Sequence, residues 1–65
     1  MGNKSLADRI LFIQNHCKDN NIDIDFYYDS TGNTWTAYEN DEDQVTEPAD
    51  SFEEMIDGLE AVLEI

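Results

Sequence analysis

The segment Ile22-Asp23-Ile24-Asp25-Phe26-Tyr27-Tyr28-Asp29 limits the fold more than any other stretch of this chain. Apolar side chains stand at 22, 24, 26 and 28 and acids at 23, 25 and 29, with Tyr27 the single break. Side chains alternate across a β-strand, so this pattern describes a strand with one apolar and one carboxylate-bearing face. Whatever else the chain does, it must cover the apolar face and leave the acidic one wet.

The segments on either side supply the cover. Residues 1–4 read as a flexible arm, and residues 5–65 as one acidic domain. Ser5 is placed to cap a helix of about 6–19, with Asp8 three residues on in the manner of a capping box. Leu6, Ile10, Ile13 and Cys17 follow at helical spacing, Leu11 and Phe12 widen the stripe, and Lys18 suits the last turn. Asn20-Asn21 is a stop, because asparagine tolerates the left-handed cap. Beyond the strand, Ser30-Thr31-Gly32-Asn33 is turn chemistry, with Gly32 the residue free to take positive φ. Thr34 to about Asn40 forms a second strand rich in β-formers. A three-residue loop with a bulge would shift the register by one, whereas a loop centred between Thr31 and Gly32 pairs Tyr28 with Trp35 and Phe26 with Ala37. Trp35 and Ala37 then join the apolar face, while Asp23, Asp25, Tyr27, Thr36 and Tyr38 lie on the other.

Pro48 and the acids between Asn40 and Asp50 argue for an irregular connection. Ser51-Phe52-Glu53-Glu54 opens a second helix, and Asp50 with Glu53 offers the same start one residue earlier. Phe52, Met55, Ile56, Leu59, Val62 and Leu63 make its core stripe, leaving Glu53, Glu54, Asp57, Glu60 and Glu64 elsewhere. The fold class predicted is α+β: helix-strand-strand-helix, a two-layer domain whose antiparallel hairpin is covered on one face by two helices. A chain of 65 residues buries only about 60% of its unfolded surface, so stability should be modest. The one cysteine allows no intrachain disulfide, which fits a reducing, cytoplasmic setting. No apolar run nears the roughly 20 residues that span a bilayer, and the N-terminus lacks a signal-peptide core.

Charge is the second constraint. Sixteen acids face three bases, and Lys4, Arg9 and Lys18 are all the bases there are. From Asn20 to Ile65 fourteen acids have no lysine or arginine among them, so few intrachain partners are expected. Such a field disfavours direct nucleic acid and anionic membranes and favours a basic protein surface.

Chemical motifs are missing. Asp19, Asn21 and Asp23 match the first three positions of a calcium loop, but Ile24 and Ser30 stand where Gly and Glu are required, so no metal is expected. His16 and Cys17 are neighbours on a helix, splayed about 100° apart and without a second pair for zinc. Cys17 reads as a small buried hydrophobe and His16 as a surface residue. No phosphate loop or nucleophile elbow occurs. No catalytic residue and no cofactor are expected.

Gly32-Asn33-Thr34-Trp35-Thr36-Ala37-Tyr38 followed by Ser51-Phe52-Glu53-Glu54-Met55-Ile56 resembles the hairpin-helix pattern of HicB-like antitoxins over residues 32–56. The Pro-Asp-Leu-Pro-Gly link of that family is missing, and no toxin-contact residue is carried over. In size and acidity the chain also resembles small virus-encoded inhibitors, the DNA mimics of anti-restriction and anti-CRISPR type. That likeness implies a non-enzymatic inhibitor occupying the basic nucleic-acid groove of an enzyme or effector. Asp23, Asp25, Tyr27, Asp29, Tyr38, Asp41, Glu42, Asp43, Glu53 and Asp57 are the candidate contacts. Tyrosines among carboxylates suit arginine through cation–π contact and charge-assisted hydrogen bonds. The alternative is an antitoxin-like or assembly adaptor that uses apolar or strand-edge contacts. A monomer is expected, with a strand-paired homodimer as the other possibility.

Overall fold

A computed structural model of the chain describes residues 4–40 and 42–65. Helix α1 spans Leu6–Asp19, strands β1 and β2 span Ile24–Asp29 and Thr34–Glu39, a short β3 spans Asp43–Gln44, and helix α2 spans Phe52–Leu63. The strands form one antiparallel sheet in the order β1-β2-β3. The class is α+β, as the periodicities require.

Both helices begin on the serines that the spacing selects. Ser5 Oγ accepts from the Asp8 amide and Ser51 Oγ from the Glu54 amide, each at 3.1 Å. This settles the start of α2 on Ser51 rather than Asp50. The first helix ends in the way its asparagines allow, with Asn21 at φ 57° and the Ile22 amide donating back to the Cys17 carbonyl at 2.8 Å. In the hairpin turn the left-handed residue is Asn33 (φ 56°), and no glycine among the described residues has positive φ. The expectation for Gly32 is thereby corrected. Asn33 takes that conformation while its side-chain oxygen accepts from the Tyr28 hydroxyl at 2.8 Å, so local hydrogen bonding offsets the steric cost.

The hairpin register is the predicted one: Tyr28 faces Trp35 and Phe26 faces Ala37. The segment after it is the main departure. Residues 43–49 were expected to be irregular, yet they close the second edge of β2. Val45 N–H donates to the Ala37 carbonyl at 2.8 Å, and Trp35 and Ala49 exchange a pair of bonds at 2.8 and 2.9 Å. Between them the backbone pattern is interrupted, and Thr46 Oγ1 accepts from the Ala37 amide at 3.0 Å. A hydroxyl thus replaces a strand carbonyl, which lets an acidic, proline-containing segment act as a sheet edge.

The buried core is Ile13 and Cys17 from α1, Ala37 from β2, and Met55, Ile56 and Leu59 from α2. An aromatic series flanks it: Tyr28 on Trp35 at 5.1 Å, Trp35 on Phe52 at 5.1 Å, and Phe52 on Phe26 at 5.3 Å. The predicted apolar stripes are too wide. Leu11, Phe12 and Val62 are about half exposed, because a helix in a two-layer domain buries only the arc turned to its neighbours, and Tyr28 near the end of β1 is about half exposed as well. His16, expected at the surface, is half-buried. The helices also share the sheet unequally. Helix α2 lies on β2, while α1 leans on α2 and leaves a cleft above β1. That cleft, of about 210 Å³, has Ile13, Gln14, Cys17 and Lys18 on one wall and Ile22, Ile24 and Phe26 on the other.

Candidate functional site: an acidic sheet face and a clamped helix

The alternation in β1 and β2 decides which candidate side chains meet. Directly paired residues of an antiparallel ladder share a face, so Asp25 stands beside Tyr38 and Tyr27 beside Thr36. Tyr27 and Tyr38 are diagonal neighbours and touch edge to face, with ring centroids 6.2 Å apart and planes at 88°. Thr36, between them, is only 6% exposed, although it was expected on the wet face. Asp25, Phe26, Tyr27 and Tyr38 line a shallow depression of about 380 Å³. Asp23 continues this face past the end of β1, its carbonyl accepting from the Asn40 amide at 2.8 Å. Both helices lie on the opposite side of the sheet.

The remaining candidates are dispersed. Asp29 lies on the same face but is half-buried, and its carboxylate accepts from the Thr31 amide at 3.0 Å, which makes it a turn residue. Asp43 pairs with Glu39, itself opposite Ile24, so it belongs to the helix side of the sheet. Glu42 is exposed in the turn before β3, and Asp41 lies outside the described residues.

Glu53 and Asp57 are engaged by the one arginine. Arg9 Nε and Nη2 hold Glu60 as a fork, at 3.0 and 2.8 Å to its two carboxylate oxygens. Nη2 also bonds the Asp57 carboxylate, and Nη1 lies 3.6 Å from Glu53. Glu53, Asp57 and Glu60 recur at i, i+4 and i+7, one stripe of α2 turned toward α1. The expectation that these acids lack intrachain partners is corrected. Surrounded by carboxylates, chiefly Glu60 and then Asp57, the guanidinium is held even more firmly protonated than usual. The spacing of the three acids beside a core stripe was the available signal, and it was legible only once α1 and α2 were known to be adjacent.

Cys17 is a buried free thiol, as expected, and its pKa is raised by burial and then by the charge of Glu39. Among the described residues no group of three or more His, Cys, Asp or Glu side chains is arranged to hold a metal ion. No helix there is long and apolar enough to cross a membrane. One further polar residue joins the acidic face. Gln44 is paired with Tyr38 and so projects on the same side, and its placement depends on β3.

No protein-family model, curated protein or solved structure matches the chain.

Proposed function

We propose that this protein is a non-enzymatic acidic ligand for a basic nucleic-acid-binding groove, acting as an inhibitor by occupying that groove in place of nucleic acid. One observation carries the reading. The sheet face free of helices presents Asp23 and Asp25 around the Tyr27–Tyr38 pair, and no lysine or arginine follows Lys18 in the chain. Carboxylates two residues apart on a strand are spaced roughly 6.5 Å, similar to successive phosphates along one nucleic-acid strand. The tyrosine faces add sites for arginine side chains, which line such grooves. Glu53 and Asp57 lie beside Arg9, which partly offsets their charge, so the contact is assigned to the sheet face, with the exposed Glu42 in addition. The setting proposed is the cytoplasm of the cell that contains the target.

The test begins with the target captured from the native host, followed by competition with duplex DNA at several salt concentrations. Binding of this chain and of DNA should be mutually exclusive, and affinity should fall about tenfold or more from low to high salt. Asp23→Lys with Asp25→Lys should weaken binding while leaving the circular dichroism spectrum intact. A salt-insensitive complex, or one that holds DNA and this chain at once, sinks the proposal. The adaptor reading has its own observation in the exposed Leu11 and Phe12 of α1. It predicts that Leu11→Ser with Phe12→Ser abolishes capture and that the aspartate changes do not.

A further inference from the structure

The ladder between β1 and β2 fixes the direction in which each backbone group of β1 points. The Asn40 amide donates to Asp23, and β2 bonds its third-strand neighbours through Trp35 and Ala37. In an antiparallel pair, bonded and non-bonded positions alternate. Asp25, Tyr27 and Asp29 therefore bond to β2, while the N–H and C=O groups of Ile24, Phe26 and Tyr28 point to the outer edge of the sheet. No described residue pairs with them there. The same three residues turn their side chains toward the helix layer, where Ile24 and Phe26 line the cleft between α1 and β1. An open edge and an apolar cleft along the same strand form a seat for one more strand.

We infer that this edge of β1 takes up an extended segment of a partner protein, with apolar side chains entering the cleft and basic ones on the outer face. The cleft exceeds the ~150 Å³ that accommodates a benzene ring, so it has room for a branched aliphatic side chain. Lys18 at its rim excludes basic side chains from the cleft. On the outer face the incoming strand lies beside the row that starts with the exposed Asp23, so lysine or arginine is complementary there. A second copy of this chain is excluded as the occupant by the same row. Two β1 strands placed edge to edge set aspartates against aspartates in chains that each carry a net charge of −13. The inference goes beyond the groove-ligand reading and does not depend on it, since the edge binds through backbone groups and the cleft.

The probe is an end-blocked eight-residue peptide of alternating valine and arginine, with alternating valine and glutamate as its control. Added to the ¹⁵N-labelled full chain, the arginine peptide should slow amide exchange at Ile24, Phe26 and Tyr28 by about tenfold or more. The Asp25 and Tyr27 amides, already in the ladder, should change little. A chemically synthesised chain with an N-methyl group on the Phe26 amide removes one outward donor and leaves the bonds to β2 intact. It should keep its circular dichroism spectrum and bind the peptide about tenfold less tightly. Three results overturn the inference: equal protection by the glutamate peptide, binding that leaves these amides exchanging freely, or protection by self-association without peptide. Loss of the DNA competition described above would leave these outcomes unchanged, so the two proposals fail separately.

Discussion

Thr46 is the residue on which the sheet's third strand depends. It is 6% exposed, and its hydroxyl is the acceptor for the amide of Ala37, which is fully buried. Thr46→Val keeps the shape and removes the acceptor, leaving a buried N–H without a partner. The expected loss is about 1–3 kcal/mol in urea denaturation, with little change in helical circular dichroism. A neutral result would mean that the segment before α2 contributes little to the sheet. Nothing in the sequence singles out this role, because a threonine among Gln44, Val45 and Glu47 looks like any polar connection residue. Asn33 shows the same limit. The turn was legible from composition, but not which residue takes positive φ; it is Asn33, whose side chain accepts from the Tyr28 hydroxyl, and that bond exists only once the strands are in register.

Among the elements, α1 and α2 are joined by apolar packing of Ile13 and Cys17 against Met55, Ile56 and Leu59, and by the Arg9 fork. The Arg9 side chain is 17% exposed and Glu60 28%, whereas Asp57 and Glu53 are more than half exposed and add little after solvent screening. Arg9→Met should cost about 1–2 kcal/mol at low salt and less at high salt, measured by denaturation at both. An unchanged stability would show the fork to be incidental to helix docking. The start of α2 and the strand register were each open by one residue until the structure fixed them. Helix positions and the hairpin were readable, because they follow from local periodicity and side-chain capping. The docking of α1 on α2 was not, since it brings residues about fifty positions apart together. That contact gives Glu53 and Asp57 an intrachain neighbour in Arg9 that their spacing alone does not show. Of the candidate contacts, Asp23, Asp25, Tyr27 and Tyr38 could be grouped from alternation alone, because they share one face of one hairpin.

For the whole molecule, the net charge of −13 opposes compaction. Screening should stabilise it. Raising sodium chloride from about 20 to about 500 mM is expected to lift the melting temperature by roughly 5 °C, equivalent to about 1 kcal/mol for a domain this small. A fall in melting temperature would mean that the Arg9 contacts outweigh the repulsion among the other acids.

The layered arrangement also has a consequence at distances beyond contact. Arg9 and Lys18 lie on α1, and Lys4 just precedes it with its ammonium 4.4 Å from the Phe12 ring. Among the described residues lysine and arginine are therefore confined to the helix side, and the bare sheet face carries only negative charge. The helices also carry Asp8, Asp19, Glu53, Glu54, Asp57 and Glu60, so both sides of the molecule are net negative, and the bare sheet face differs in having no base to offset its acids. A basic surface would be attracted to either side, but only at the Tyr27–Tyr38 face would it meet no lysine or arginine to repel it. Encounter would begin faster than for an uncharged domain, by a factor that shrinks as salt is added.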